Sequence, residues 1–197
     1  MLQSEALQHL ESKIAACTKC HELTQYREGC GYKTVPGAGN PNARIFFIGE
    51  APGKNEAEQG FPFVGRAGNL LTNIIQAIGL TREEVFIANI LKCRPPENRD
   101  PLPEESKNCQ PYLALQIKVI NPEWIVCLGR YAARFMLEKD PETPMRSMRG
   151  LHEKDGRKII CTYHPSYLLH NPSQKAEVVK DLEPLISVLR TERNGVQ

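Results

Sequence analysis

Residues 44–68 read RIFFIGEAPGKNEAEQGFPFVGRAG. Ile45, Phe46, Phe47 and Ile48 form an unbroken apolar run, β-branched and aromatic, as a buried strand requires. Gly49, Pro52 and Gly53 then break it into a tight loop. In an open α/β sheet, the loop that leaves the carboxyl end of a strand is where ligands bind. This one carries Glu50, then Glu56 and Glu58, and Phe61 and Phe63 before the next helical run. Carboxylates and aromatics on a glycine-rich loop suit a flat ligand, and a plain polar surface loop is the alternative that this stretch alone leaves open. A phosphate cradle is excluded, because a P-loop needs four residues between its glycines and a Lys followed by Ser or Thr. Here three residues separate Gly49 from Gly53, and Asn55 follows Lys54.

Outward from this stretch, apolar runs alternate with helical ones. Residues 69–78 (NLLTNIIQAI) place Leu70, Leu71, Ile74, Ile75 and Ile78 on one helical face, with Gly79 as the stop. Residues 85–91 (VFIANIL), 124–128 (WIVCL) and 158–163 (KIICTY) read as three more buried strands. A helix over about residues 104–120 and a short one over 132–137 separate them. Ser4 is placed to cap a first helix carrying Leu7, Leu10 and Ile14. Ser173 is placed to cap a last helix with Val178, Val179, Leu182, Ile186 and Leu189 inward and Pro184 as a kink. Residues 21–43 lack periodicity and read as loop. Strands joined by helical crossovers imply a three-layer α/β/α structure around a central four-stranded, mainly parallel sheet. With 197 residues and no internal repeat or long linker, residues 1–197 are expected to form a single domain with an N-terminal helix.

Apolar residues make up 41% of the chain and charged residues 24%, the balance of a soluble globular protein. No apolar run approaches the ~20 residues of a membrane helix, and the N-terminus has no secretory apolar core. A cytoplasmic monomer, with no membrane partner, is the expectation. A net charge of +2 excludes a globally basic nucleic-acid binder, so any basic face is local. Seven cysteines without an export signal point to metal or redox chemistry rather than a disulfide framework. Cys17-Thr18-Lys19-Cys20-His21 spells a c-type haem attachment pattern, which would want export and an axial partner. Alternatively, Cys17 and Cys20 form one hook, with Cys93 and Cys109 as the other. Zinc and an iron–sulfur cluster both accept four thiolates, and the spacing alone does not choose. Cys127 and Cys161 lie inside apolar strands as small core residues. Cys30 has no assigned partner.

GEAPG at 49–53, GFPFVGRAG at 60–68, NILKCRPPENR at 89–99 and HPSYLL at 164–169, in that order with the four cysteines, resemble the family-4 uracil-DNA glycosylases. These are the iron–sulfur branch of their superfamily. The resemblance spans roughly residues 10–190 and implies a four-stranded parallel sheet between helices, in agreement with the reading above. It implies a [4Fe–4S] cluster on Cys17, Cys20, Cys93 and Cys109, structural and away from the reacting base. It implies uracil-containing DNA as substrate, base flipping, and hydrolysis of the N-glycosidic bond to leave an abasic site, a base-excision-repair activity.

Residue by residue, Phe63 resembles the aromatic that stacks on the base. Asn89 resembles the amide that reads it, accepting from uracil N3–H and donating to O4, a pattern that cytosine reverses. His164 matches the histidine that faces uracil O2, where a donor is strengthened as the departing base gains charge. Ala51 stands where other branches carry an aspartate. Glu50 is the nearest carboxylate, expected to position water or support the sugar cation. Glu56 resembles the residue that closes the pocket near uracil C5. Leu168 is expected as an apolar wedge filling the gap in the DNA. Arg94, Arg99, Arg146 and Arg149 are expected phosphate contacts. A module that binds uracil or abasic DNA without cleaving it, and a zinc or haem carrier, are the rival classes. Asn89 and His164 favour the enzyme over the first, and the colour of the purified protein separates the second. The Lys-Arg-Arg-Ile-His run of a branch that bonds covalently to DNA is missing. A sliding-clamp partner is not legible in the sequence.

Overall fold

A computed structural model of the chain describes residues 2–195. The four apolar runs become β2 (Ile45–Gly49), β3 (Phe86–Asn89), β4 (Trp124–Leu128) and β6 (Arg157–Thr162), and every pairing among them is parallel. Two further strands, β1 (Ala38–Gly39) and β5 (Gly150–Lys154), pair antiparallel at the edges, giving the order β1-β3-β2-β4-β6-β5. The expected four-stranded sheet is thus the parallel centre of six strands. β5 has no apolar run, because it alternates between exposed and half-buried positions on an edge. It reaches β6 through Asp155-Gly156, both left-handed, the Asp-Gly chemistry of a two-residue hairpin turn.

Side chains leave a strand to alternate faces, and each face is covered by its own helices. Ile45, Phe47 and Val126 pack with Leu71 and Ile75 of α4 (Arg66–Ala77), Leu168 of α8 (Pro165–His170), and Leu182 and Leu185 of α9 (Lys175–Asn194). Phe46, Ile48, Ile125 and Cys127 pack on the other face with Leu113 of α5 (Pro103–Ile120) and Ala132 and Ala133 of α6 (Arg130–Leu137). The result is a helix–sheet–helix sandwich.

Several local expectations shift. The first helix, α1 (Gln3–Ala15), has Leu2 as its N-cap residue, whose N–H donates to the Glu5 carboxylate at 3.1 Å, so Ser4 lies inside the helix. A 3-10 turn over Pro172–Gln174 holds Ser173, and Gln174 precedes α9 without a side-chain cap. Val179 faces solvent at 57% exposure, because it lies off the 178/182/185/186/189 stripe. Residues 21–29, expected as loop, form α2 (His21–Gly29), a polar helix that buries only Leu23 and Arg27. A short helix, α3 (Lys54–Gln59), follows the loop after β2, and α7 (Met145–Met148) precedes β5. β2 has β3 on one side and β4 on the other, so the chain changes direction across the sheet at the carboxyl end of β2. That crevice is where an α/β sheet binds its ligand.

Candidate active site

A cavity of about 690 Å³ opens there, and the ends of all four parallel strands build it. Glu50, Ala51, Pro52 and Gly53 follow β2, Asn89 ends β3, Gly129 and Arg130 follow β4, and Tyr163 and His164 follow β6. Glu56 and Phe63 close one wall; Pro95, Asn98 and Arg99 close another. Glu50, Ala51, Glu56, Phe63, Asn89 and His164 are therefore brought together in one pocket.

Asn89 is 2% exposed, and its Oδ1 has no hydrogen-bond partner among the described residues. A buried acceptor left unpaired costs about 1–3 kcal/mol, so its presence at a cavity wall marks an atom held for a ligand. Gly49 lies beneath it. A Cβ there would collide with Asn89 Oδ1 and stand 2.7 Å from Phe63 Cζ. The glycine lets a flat ring and an amide edge approach each other over bare backbone. Phe63 has φ +53°, the left-handed region that costs a bulky residue about 1–3 kcal/mol. Its ring lies 5.6 Å from that of His164 at an interplanar angle of 34°.

His164 caps α8. The Ser166 backbone N–H donates to its Nδ1 at 3.1 Å, with Ser166 Oγ also 2.7 Å from that nitrogen. A backbone N–H only donates, so Nδ1 is the acceptor and the ring proton sits on Nε2. Burial pushes the pKa of His164 down to about 4 against the opposing pull of Glu56, which keeps the ring neutral near pH 7. At Gly129, with φ +90°, a Cβ would stand only 3.0 Å from His164 Cβ, so the missing side chain lets the histidine pack close to the loop after β4.

Burial, and then the charge of Asp100, push Glu50 up to about 7, with Arg130 pulling the other way. Asp100 and Arg130 form an exposed ion pair of 2.7 Å. This acid–base cluster beside the pocket was missed in the sequence, because Asp100 lies on a loop and Arg130 opens α6, thirty residues apart with no motif spacing. Glu56 does more than line the wall. Its Oε1 accepts the N–H of Val64 at 2.9 Å and of Gly65 at 3.0 Å, so the carboxylate ties down the loop that enters α4.

The expected DNA contacts divide. Leu168 is 1% exposed and packs into the α4/α9 core, so it is not available as a wedge; the exposed apolar ring of this turn belongs to Tyr167, at 42% exposure. The HPSYLL spacing concealed this, since α8 turns position 168 inward. Arg149, between α7 and β5, is held by Asp181 at 2.9 Å and Glu177 at 2.8 Å, a structural tie to α9 in place of a free phosphate contact. Arg99 pairs with Glu105 at 2.6 Å and Glu22 at 3.3 Å while still lining the pocket. Arg94 donates to the hydroxyls of Tyr26 and Tyr32, each at 3.0 Å, and to Asn98. Arg146 is exposed at the rim.

Cys17, Cys20, Cys93 and Cys109 line a second, small cavity of about 20 Å³ between α1, α2 and α5, with no carboxylate or imidazole among its walls. Among the described residues, no group of three or more His, Cys, Asp or Glu side chains stands ready to hold one metal ion. Donors already surround the sulfurs: Lys92 N–H to Cys109 at 3.2 Å, Arg27 to Cys93 at 3.6 Å and Asn108 to Cys20 at 3.7 Å. Burial pushes Cys109 up to about 12 and raises Cys20 and Cys93, so the thiols need a cationic occupant to ionise. An all-sulfur donor set suits zinc or iron–sulfur. Cys127 and Cys161 face each other in register on β4 and β6, fully buried, and Cys30 is exposed.

A parallel sheet between helical layers, with a crevice at its switch point, places the chain among the α/β folds that bind their ligand at the strand ends. The chain belongs to the uracil DNA glycosylase superfamily, whose family model matches residues 36–183. It is 43% identical to a type-4 uracil-DNA glycosylase of Archaeoglobus fulgidus, with 92% of each chain covered. It is 40% identical to the type-4 enzyme of Thermotoga maritima, over 96% of this chain and 98% of that one. A type-5 uracil-DNA glycosylase of Thermus thermophilus is 30% identical over 78% of this chain and 84% of its own. No helix among the described residues is long and apolar enough to cross a membrane.

Proposed function

We propose that the whole chain works as one monofunctional uracil-DNA glycosylase domain, releasing uracil from DNA and leaving an abasic site. The observation that carries this is the unpartnered Asn89 Oδ1, buried beside the Phe63 ring and a neutral His164. Uracil offers that amide an N3–H to accept and an O4 to receive its N–H. Cytosine offers a bare N3 and an amino group, so both contacts become repulsive. Sites built on specific hydrogen bonds discriminate by about 10⁴–10⁵. The target lies inside a duplex, so the nucleotide must leave the stack to reach the pocket, and Phe63 takes over part of the lost stacking.

His164 Nε2–H faces the base and donates to uracil O2. As the C1′–N1 bond breaks, its electron pair goes to the base, which becomes the uracil anion, and the sugar becomes cationic. The donor is strengthened as that charge grows. Water adds its hydroxyl to C1′ and its proton ends on the departing base or solvent. Glu50, with its pKa near 7, is partly ionised at neutral pH, and its carboxylate supports the sugar cation and orients the water. Ala51 and its neighbours line the pocket with backbone, and Glu56 fixes the wall that meets the C5 side of the base. Arg146 and Arg99, on the rim, and Arg94, next to the wall residue Pro95, meet the DNA backbone.

The four cysteines suit a [4Fe–4S] cluster better than zinc. Four thiols line the cavity with no carboxylate or imidazole beside them, and the likeness of the motifs to the iron–sulfur branch favours the cluster over zinc. A cuboidal cluster meets each thiolate with a separate iron corner. Bound there, it would cross-link α1, α2, the Cys93 loop and α5, and no step of base release is assigned to it. Incubation of the purified protein with an oligonucleotide carrying one uracil, followed by alkali, tests the function. Strand scission at that uracil and release of free uracil are expected. Tight binding of the same oligonucleotide without release would leave a non-cleaving recognition module in its place.

A further inference from the structure

The loop bearing Phe63 is gripped from two sides. Glu56 takes its amides, through Val64 and Gly65. Its carbonyls turn the opposite way, toward Arg82 on the connection between α4 and β3. Arg82 Nη2 donates to Pro62 O at 2.8 Å, and Nη1 donates to Phe63 O at 3.1 Å and to Thr72 Oγ1 at 3.2 Å. Arg82 forms no ion pair among the described residues, feeling only the more distant charge of its neighbour Glu83, although an arginine ordinarily seeks a carboxylate. Its planar fork is spent instead on two successive carbonyls of one loop. Gly68, in the first turn of α4, completes the fit, since a Cβ there would collide with Phe63 O. Arg82 lies outside the walls of the pocket.

We propose that Arg82 is a positioning residue for base recognition: its guanidinium, clamped on the Pro62 and Phe63 carbonyls, holds Phe63 in its left-handed conformation with the ring against the pocket. A left-handed aromatic relaxes to ordinary backbone unless its surroundings over-determine it. Any such relaxation swings the ring out of register with His164 and with the floor at Gly49. Glu56 secures the loop only beyond Phe63, at residues 64 and 65, so the carbonyl of Phe63 itself depends on Arg82. This rests on the glycosylase reading, in which Phe63 stacks on the base.

The test uses Arg82→Met and Arg82→Lys in the full chain, measured well below the melting temperature. Arg82→Met is expected to weaken inhibition by free uracil about tenfold, the worth of a misaligned stacking face, and to slow single-turnover release by a similar factor. Arg82→Lys, which keeps a donor for one carbonyl, recovers part of both. Affinity for uracil-free duplex and its salt dependence stay unchanged, which separates a positioning residue from a phosphate contact. In a Phe63→Ala background, Arg82→Met adds little, because the group it positions is gone. Full additivity of the two substitutions, or a lowered melting temperature with unaltered uracil inhibition, overturns the proposal. If Arg82→Met does not fold, Arg82→Lys alone decides, by the same uracil inhibition. Wild-type protein that neither releases nor binds uracil sinks the functional reading instead.

Discussion

The base pocket and the cysteine cage treat their polar atoms in opposite ways. In the pocket, Asn89 keeps an acceptor unpaired at 2% exposure, and His164 is fixed by Ser166 so that its ring proton sits on Nε2. In the cage, Lys92, Arg27 and Asn108 already donate to three of the four sulfurs. A site for a transient ligand withholds partners so that the correct ligand gains by supplying them. A site for a resident group supplies its supporting bonds in advance. The contrast separates recognition from architecture inside one chain, only a few residues apart in sequence.

The contrast is broken most sharply at Asn89. Asn89→Asp replaces the donor to uracil O4 with an acceptor, and uracil release is expected to fall by about 10³–10⁴, with weak cytosine release emerging. Unchanged uracil kinetics in gel-resolved single-turnover assays would remove Asn89 from the pocket. Next comes His164→Ala, expected to slow the bound-state step by about 10²–10³, the worth of one oxyanion-type donor. DNA affinity should hold, since phosphate contacts dominate it. A loss of affinity with an intact rate would make the histidine a DNA contact.

On the cage side, Cys109→Ala is expected to lose the visible absorbance of an iron–sulfur protein and to lower the melting temperature. Elemental analysis that finds zinc and no iron in the wild type would end the cluster assignment. The smallest effect concerns Glu50. Its folded pKa, near 7, lies above the ordinary value, so folding favours the protonated form and the carboxylate appears only as pH rises. Single-turnover rates should therefore climb with pH through about 7, and Glu50→Gln should flatten that limb. Asp100 raises the Glu50 pKa, so Asp100→Asn should move the limb to lower pH. The stability cost has the same sign: it grows as pH rises from the unfolded carboxyl range to about 7, then stays constant. A pH profile identical in wild type and Asp100→Asn would detach Asp100 from the site.

Much of this was legible because burial leaves plain marks. Strands covered on both faces must be continuously apolar, and residues 45–48, 86–88 and 124–128 announce themselves that way. Edge strands need no such run: β1 is two residues long, and only the Asp155-Gly156 turn betrays β5. The pocket's motif residues were readable because they sit at strand ends with unusual chemistry. Leu168 and Arg149 misled because sequence gives a residue's type but not the direction it faces. An inward turn of α8 buries the leucine, and Asp181 on a distant helix claims the arginine. Arg82 left no sequence mark at all, since its partners are backbone carbonyls that any residue would supply.

Lys92 joins the two regions by a short path. Its ammonium caps the carbonyl of Asn89 at 2.7 Å, while its own amide donates to Cys109, and the side chain is 1% exposed. Local breathing therefore has no natural seam between residues 89 and 93. In hydrogen-exchange terms, the end of β3 and the start of the cysteine loop belong to one cooperative opening unit. Its amides should be released together, and a change in the occupancy of the cage should alter the protection of residues in the base pocket.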